Sequence, residues 1–194
     1  MLCNNLHPHI SWIDGAAVAQ RALVVIDVQK DYFPGGVWAL PDAERTLPHI
    51  ASLIERSRSR GEPVVFIQHV TPAGSPVFAQ GTPGMEFAAG LDVRPGDPVF
   101  QKRHPSSFQD TGLAAWISKE GVRELDVCGY MTHMCCDTTT RESYSRGFSV
   151  RLFSDATAAR ELVVEGSKMP HDTVHRVSLG ALSRFAKILK HTEG

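Results

Sequence analysis

The chain has 194 residues, a length that fits one domain at a usual size of about 100–200 residues. Hydrophobic residues make up 42% of the chain and charged residues 21%, a balance that excludes a disordered protein. Because 20 lysines and arginines face 21 aspartates and glutamates, the formal charge of -1 gives no electrostatic basis for binding nucleic acid or an anionic membrane.

Targeting signals and cysteine spacing indicate the compartment. Every apolar run is too short for a transmembrane helix, and the first 15 residues lack the basic and apolar regions of a secretory signal. The four cysteines, Cys3, Cys128, Cys135 and Cys136, are spaced neither as a disulfide framework nor as a zinc site. We therefore expect a cytoplasmic protein with free thiols and without a metal or another cofactor.

Apolar runs and helical periodicities alternate along the chain after an irregular N-terminal arm over residues 1–20. The predicted strands span residues 22–27, 63–69, 98–101, 124–128 and 148–153, with a short strand near 185–189. The first predicted helix is capped by Thr46, has Pro48 in its first turn and ends at Gly61. The remaining helices are predicted over residues 111–120 and 132–146 and from about residue 172.

This alternation is typical of βαβ units, and it predicts an α/β fold in which helices cover both faces of a parallel sheet. Residues 71–97 contain four prolines and five glycines and are predicted to form a long excursion, which in a compact domain is usually functional. Ligands of such sheets bind beyond the carboxyl ends of the strands. The residues placed there are Asp27, His69, Lys102 and the segment 129–136.

Two of these residues carry charge where a strand ends. Asp27 follows four apolar residues and fits either a structural carboxylate that holds a loop or a base whose pKa is raised by burial. Lys102 fits either a surface lysine beside Arg103 or a cation that balances Asp27 and favours a thiolate. The residues alone leave both alternatives open.

Cys135 lies near the start of a predicted helix, in the sequence CGYMTHMCC. Gly129 permits a tight turn there, and Thr132 is placed to cap the helix. A thiol in the first turn is expected to have a lowered pKa, and the neighbouring N–H groups suit a developing oxyanion. The alternative is a buried structural cysteine, and the sequence does not separate the two.

The histidines offer weaker indications of a site. His171 and His175 share a helix face and fit either a metal pair or, more simply, two solvated or hydrogen-bonded side chains, since no third ligand is near in sequence. His69 closes a strand and is a candidate for the pocket wall. His104 and His133 flank the segments of Lys102 and Cys135.

Three segments, in this order, resemble the isochorismatase-like cysteine hydrolases, a superfamily that includes nicotinamidases, N-carbamoylsarcosine amidase and isochorismatase. Residues 27–33 match the pattern D-x-Q-x-D-[FY], and residues 102–108 are close to K-x-x-x-S-A-F. Residues 129–139 match G-[VY]-x-T-x-x-C-V-x-x-T, with Cys136 in place of the usual valine. Each segment follows a predicted strand, and the resemblance covers about residues 20–190.

The resemblance implies a Rossmann-like three-layer sandwich over residues 21–194, with six parallel strands in the order 3-2-1-4-5-6. It implies a catalytic triad of Asp27, Lys102 and Cys135. It also implies a cis peptide bond before Met131 and an oxyanion hole formed by the N–H groups of Met131 and Cys135. Relatives assemble as dimers or tetramers, which predicts a homodimer or homotetramer.

We therefore expect a metal-independent cysteine hydrolase that cleaves a small amide-like C–N bond through a thioester, with no nucleic acid and no membrane among its partners. Nicotinamidases carry an Asp-x-His metal motif after the second strand, and residues 68–71 here read QHVT instead. The candidates for substrate contact are Tyr32, Phe33, Trp38, His69, Phe108, Tyr130 and His133. The alternatives are an isochorismatase-type vinyl-ether hydrolase and a ligand-binding protein without catalytic activity.

Overall fold

A computed structural model describes residues 20–194 of the chain. Residues 1–19 of the predicted arm, Cys3 among them, lie outside the described residues, and Gln20, the last residue of that prediction, begins the first strand instead. None of the helices in residues 20–194 has the length and apolarity needed to cross a membrane.

The centre of the molecule is a six-stranded sheet in which all neighbouring strands run parallel. The order is β3-β2-β1-β4-β5-β8, which confirms the predicted order because β8 is the sixth predicted strand. The strands of this sheet are β1 (Gln20–Ile26), β2 (Val64–His69), β3 (Val99–Lys102), β4 (Val122–Tyr130), β5 (Ser149–Ala158) and β8 (Lys187–Leu189).

Helices cover both faces of the sheet. Successive residues of a strand point to opposite sides, so the apolar side chains of a buried strand need packing partners on each face. Leu23 and Val25 of β1 pack in one core cluster, and Val24 and Ile26 pack in another. The first cluster is completed by helix α1 (Ala43–Ser59), and the second by α2 (Leu113–Lys119) and α4 (His171–Leu182). Helix α3 (Asp137–Ser145) lies beside α4. The continuous apolar run of β1 thus has the predicted cause, burial on both faces.

Helix α1 begins earlier than its sequence signals predict. Thr46 is not its cap but lies inside the first turn, where its hydroxyl donates to the carbonyls of Asp42 (3.0 Å) and Ala43 (3.1 Å). The same oxygen lies 2.7 Å from the hydroxyl of Tyr130 on β4. The helix begins at Ala43 with Asp42 as its N-cap residue, so Pro48 falls inside the helix rather than in its first turn.

The chain contains one hairpin that the sequence analysis did not predict, β6 (Leu162–Val164) paired with β7 (Ser167–Met169). Its turn consists of Glu165 and Gly166, which both have positive φ values of 49° and 77°. Such a pair is favoured in two-residue hairpin turns. The strands are only three residues long and largely exposed, so they lack the alternation that indicates a strand.

The excursion over residues 71–97 folds back onto the site end of the sheet. It holds a short 3-10 turn (Pro83–Met85) and pairs with the segment after β1 through a bridge between Gln29 and Phe87. Phe78, near its middle, is 2% exposed and belongs to the same core cluster as α1. The segment is therefore part of the core as well as a cover for the strand ends.

Candidate active site

Asp27, Lys102 and Cys135 meet at the carboxyl edge of the sheet, where β1, β3 and β4 end. Asp27 directly follows β1 and is fully buried. Its φ of 51° lies in the left-handed region, which is strained for a residue other than glycine. Hydrogen bonds fix this conformation, because the Asp27 N–H donates to the carbonyl of Ile67 on β2 at 3.0 Å.

Lys102 is the last residue of β3, and its side chain is buried together with Asp27. Its Nζ lies 2.8 Å from Asp27 Oδ2 and 3.1 Å from Cys135 Sγ. The same ammonium lies 3.0 Å from the carbonyl of His104 and 3.1 Å from His69 Nδ1. A buried ammonium needs such partners, and here the lysine joins the carboxylate to the thiol.

Cys135 lies in a π-helical turn (Thr132–Cys136) that joins β4 to α3, and it is 4% exposed. The predicted helix over 132–146 is therefore correct in position, but its first turn is wider than an α-helical one. The Met131 carbonyl closes the turn by accepting from the N–H groups of Met134 (3.0 Å) and Cys136 (3.2 Å). The Tyr130–Met131 peptide bond is cis.

Gly129 allows β4 to run against β1 at this end of the sheet. Its φ is +109°, and a Cβ atom at this position would lie 2.0 Å from the carbonyl oxygen of Ile26. Only glycine fits such a contact, because real Cβ atoms do not approach backbone oxygens so closely. The glycine therefore brings the Cys135 turn next to Asp27, which follows Ile26.

The electrostatics of the three groups depend on one another. Burial opposes the charged form of Asp27, but the Lys102 ammonium and His69 outweigh it and lower the pKa of the carboxyl. Burial likewise opposes the charge of Lys102, yet Asp27 and Cys135 raise the pKa of its ammonium. The resting pair is a carboxylate and an ammonium.

The lowered thiol pKa expected for Cys135 from its helix position is wrong for this structure. Burial and the neighbouring Asp27 carboxylate raise the pKa of Cys135 to about 12, although Lys102 acts in the opposite direction. The helix terminus is outweighed because the sulfur lies in a nearly closed site beside an anion. The resting group is a thiol, so the site needs a base to take its proton.

The other two described cysteines are less suited to chemistry. Cys136 is fully buried in the core cluster between the sheet and α2, and burial raises its pKa well above the ordinary value. Cys128 is fully buried inside β4, and burial raises its pKa as well. Both side chains pack as small apolar groups.

Two further residues of the first motif hold the surroundings of Asp27 in place. The Gln29 side chain donates to the carbonyls of His69 and Met85, both at 2.8 Å, and accepts from the His69 N–H at 2.8 Å. Asp31 accepts from the Phe78 N–H at 2.7 Å. The motif thus combines the buried carboxylate of Asp27 with two side chains that fix β2 and the excursion around it.

The second and third motifs are joined in the same manner. The Ser107 hydroxyl oxygen lies 2.9 Å from the Thr139 hydroxyl oxygen, and the Ser107 backbone N–H donates to the same Thr139 oxygen at 3.1 Å. Both residues of this contact are fully buried. The segment after Lys102 is therefore fixed to the helix that follows Cys135.

The predicted pocket residues separate into two groups. Tyr32 packs against Phe78 in the core cluster of α1, with ring centroids 5.0 Å apart. His69 contacts Lys102, and Trp38 and His133 line a cavity that Met131 also lines. Tyr130, in contrast, is fully buried and uses its hydroxyl on α1, where it donates to the Ala43 carbonyl at 3.0 Å.

Two predicted pocket residues lie elsewhere. Phe108 stacks on Phe148 in the core cluster that includes α2, with ring centroids 6.3 Å apart. Phe33 lines a separate surface pocket beside Pro34 and Gly84. Their hydrophobicity suited a pocket wall as well as a core, so the sequence did not separate these roles.

Two residues beside the site were missed by the sequence analysis. Phe78 contacts Tyr32 and His69, with ring centroids at 5.0 and 5.6 Å, although it lies in the irregular excursion. Arg160 follows β5, and its guanidinium lies 5.1 Å from the centre of the Trp38 ring. The signal for Arg160 was its position just after a strand of the sheet.

Groups of metal-binding side chains occur at two places among residues 20–194. Asp27, His69 and Cys135 place one ligand atom each within 4.8 Å of one another, but the Lys102 ammonium already lies among these atoms. The second group is His49, Asp155 and His191, in which the two imidazole rings stack with centroids 4.0 Å apart.

His171 and His175 do not face a common ligand. His175 Nδ1 lies 2.9 Å from the Thr132 hydroxyl, and His171 Nδ1 lies 3.2 Å from Asp42 Oδ2. His175 is therefore hydrogen-bonded, and His171 lies beside a carboxylate, so the two side chains are used separately.

Comparison with known proteins gives a consistent result. Residues 21–193 match the Isochorismatase domain. An uncharacterised isochorismatase family protein of Bacillus subtilis is 36% identical over 89% of this chain and 96% of its own. The secreted isochorismatase effector Isc1 of Verticillium dahliae is 37% identical over 76% of this chain and 77% of its own. Nicotinamidase 3 of Arabidopsis thaliana is 32% identical over 71% of this chain and 72% of its own.

A solved structure agrees over most of the chain. The putative isochorismatase hydrolase of Oleispira antarctica superimposes with a TM-score of 0.89 at 30% identity and covers 92% of this chain and 97% of its own. The fold is thus that of a known group of hydrolases.

Proposed function

Because this chain belongs to the isochorismatase family, we propose that it is a cysteine hydrolase that cleaves small amide-like C–N bonds through a thioester. The single observation that carries this proposal is the Lys102 ammonium, which lies within hydrogen-bond distance of both Asp27 and Cys135 in a buried site. The relation to a nicotinamidase supports an amide as the substrate.

The first step transfers the thiol proton to Asp27 while the sulfur attacks the carbonyl carbon. A base is needed because the pKa of Cys135 is raised to about 12. Lys102 remains protonated throughout, since the pKa of its ammonium is raised by Asp27 and Cys135 despite burial. It stabilises the thiolate as that charge develops.

The tetrahedral intermediate then collapses. We assign the N–H groups of Met131 and Cys135 as the donors to its oxyanion. Asp27 returns its proton to the leaving nitrogen, the C–N bond breaks, and a thioester to Cys135 remains. In the second half, Asp27 takes a proton from water, hydroxide adds to the thioester, and the sulfur leaves as a thiol with that proton.

The test is a panel of small primary amides with ammonia release as the readout, combined with intact-protein mass spectrometry after rapid acid quenching. We expect turnover of some amides and a mass increase equal to the acyl group, located at Cys135. Turnover without an acyl adduct on any cysteine, even in single-turnover experiments, would contradict the thioester.

A second candidate function is hydrolysis of a vinyl ether, which the relation to a named isochorismatase effector favours. That reaction does not require a nucleophilic cysteine. The variant Cys135→Ala separates the two, because it should abolish amide hydrolysis but leave most vinyl-ether hydrolysis intact.

A protein that only binds its ligand would keep the fold without the reaction. Its Cys135 would be inert to small alkylating agents at every pH at which the fold is stable. Reaction of Cys135 with iodoacetamide, slowed by bound substrate, therefore supports the enzyme over the binding protein.

A further inference from the structure

One hydrogen bond of the Cys135 turn has no role in the proposed reaction. Within residues 20–194, two hydrogen bonds join a side chain of the π-helical turn (Thr132–Cys136) to another segment. The first is the contact of Cys135 with Lys102, which the reaction uses. The second joins Thr132 to His175 on α4, 43 residues further along the chain, with 2.9 Å between Thr132 Oγ1 and His175 Nδ1.

Thr132 occupies a sensitive place in the turn. It directly follows Met131 and lies three residues before Cys135, so it stands between the two residues whose N–H groups we assign to the oxyanion. It is fully buried and is the first residue of the turn. Because Met131 and Thr132 share a peptide unit, a shift of Thr132 would also move Met131 relative to the sulfur.

The Thr132 hydroxyl is not used as its sequence position predicts. Threonine at the start of a helix usually bonds to the backbone of its own first turn. Here no side chain caps the turn, and the residue at the cap position is Met131. The hydroxyl reaches instead to a different helix, so the bond fixes the turn against α4 rather than stabilising the turn from within.

The imidazole of His175 is half-buried between the turn and β5. Burial has the largest effect on the pKa of His175 and lowers it, whereas a hydrogen bond with the Ser154 backbone on β5 and the Asp42 carboxylate raise it. Arg45 and Lys190 lower this pKa further. The ring is therefore neutral at neutral pH, with one nitrogen that donates and one that accepts a hydrogen bond.

We propose that His175 is a positioning residue, which acts through Thr132 to hold the Cys135 turn so that the N–H groups of Met131 and Cys135 face the oxyanion. The proposal rests on the proposed amidase function and adds a residue to its machinery that does not touch the substrate. Preorganised donors of this kind act mainly on the transition state, so their loss lowers kcat more than it changes KM.

The test is a double-variant cycle on an amide that the parent hydrolyses. His175→Leu and Thr132→Val each remove one partner of the bond, and each should lower kcat about 3- to 10-fold with little change in KM, the range for one lost hydrogen bond. The double variant should be no slower than the slower single variant, because the two side chains act as one contact. Losses that multiply in the double variant, or that fall on KM alone, would overturn the positioning role.

Two conservative variants and one control separate positioning from a general loss of structure. His175→Asn should recover most of kcat, because its amide can again pair with the Thr132 hydroxyl. Thr132→Ser keeps the hydroxyl and should match the parent, so its comparison with Thr132→Val gives the same answer if His175→Leu does not fold. His171→Leu changes a histidine one turn earlier on α4 and should keep the kcat of the parent.

Hydrogen exchange followed by mass spectrometry makes the result independent of turnover. The amides of residues 131–136 should exchange about 3- to 10-fold faster in His175→Leu and Thr132→Val than in the parent, and at the parent's rate in His171→Leu. Faster exchange in a protein that hydrolyses no amide would contradict the amidase function but support the role of His175 in holding the turn. Unchanged exchange in both variants would overturn that role, whatever the activity.

Discussion

The two adjacent cysteines show how one residue position determines chemistry. Cys135 contacts Lys102 Nζ at 3.1 Å, whereas Cys136 is fully buried in the core cluster behind it. The two side chains differ by about 100° around the helix, so one of them faces the site and the other faces the sheet.

We predict that Cys135→Ser loses nearly all activity, because a serine hydroxyl is a far weaker nucleophile than a cysteine thiol in the same site. Cys136→Val should retain most activity and cost less than about 1.5 kcal/mol of stability, since the volumes are close. Steady-state turnover and urea denaturation measure the two effects. An inactive Cys136→Val beside an active Cys135→Ser would show that the nucleophile is Cys136.

A second prediction at this scale concerns the charges beside the thiol. Burial has the largest effect on the pKa of Cys135 and raises it. The Asp27 carboxylate raises that pKa further, and the Lys102 ammonium lowers it. Lys102→Met should therefore raise the pKa of Cys135 and, at a pH below that pKa, slow its alkylation by about tenfold for each unit of the rise. Asp27→Asn should lower the pKa and accelerate alkylation. Iodoacetamide rates between pH 7 and 9.5 test the opposite signs. Superimposable profiles for the variants and the parent would mean that neither charge tunes the sulfur.

At the scale of elements, the site depends on how closely β4 approaches β1. Gly129 is paired with Ile26, and a side chain at this glycine would meet backbone atoms that have no room to move. Because Asp27 follows Ile26, any separation of these strands also separates the base from the thiol.

We predict that Gly129→Ala destabilises the protein by more than about 4 kcal/mol, the size that marks a severe core or backbone conflict. Gly147→Ala is the matched control, because Gly147 also has a positive φ, of +87°, but nothing lies within 4 Å of its added Cβ. That variant should cost about 1–2 kcal/mol from strain alone. Denaturation midpoints measure both, and equal midpoints would contradict the importance of the close approach.

At the scale of the whole molecule, three buried thiols make stability depend on pH. Burial raises the pKa of Cys128, Cys135 and Cys136 in the folded state. The folded chain therefore keeps protons that the unfolded chain loses above about pH 8.5. Since the unfolded state binds fewer protons there, stability falls as the pH rises.

We predict that each thiol that is ionised in the unfolded chain but protonated in the folded chain lowers the free energy of unfolding by about 1.4 kcal/mol per pH unit above pH 9. Urea denaturation at pH 8 and pH 10 measures the slope for the parent. Cys136→Val should reduce that slope by one thiol, because it removes one titrating group. A slope unchanged by the variant would show that Cys136 ionises equally in both states.

A last prediction concerns whether activity depends on a metal ion. Lys102 already places its ammonium among the ligand atoms of Asp27, His69 and Cys135. We therefore expect turnover of an identified substrate to survive prolonged treatment with a strong chelator. A large loss that zinc or manganese restores would assign a metal role to these residues instead.

The sequence by itself determined the sheet and the ends of its strands. Continuous apolar runs mark strands buried on both faces, and their alternation with helices predicts the parallel order that the structure has. The same rule placed Asp27, Lys102 and the Cys135 segment at one edge, because parallel strands end on the same side. These properties depend on local patterns, which a sequence displays directly.

The tertiary structure decided what depends on contacts between distant segments. The contact of Thr46 with Tyr130 joins α1 to a distant strand, and the raised pKa of Cys135 depends on burial beside Asp27. Phe78 lies in the irregular excursion and approaches His69 only through folding, since no local pattern marks it. Distances, burial and unpaired charge arise from the packing of the whole chain, so they could not be predicted from any single segment.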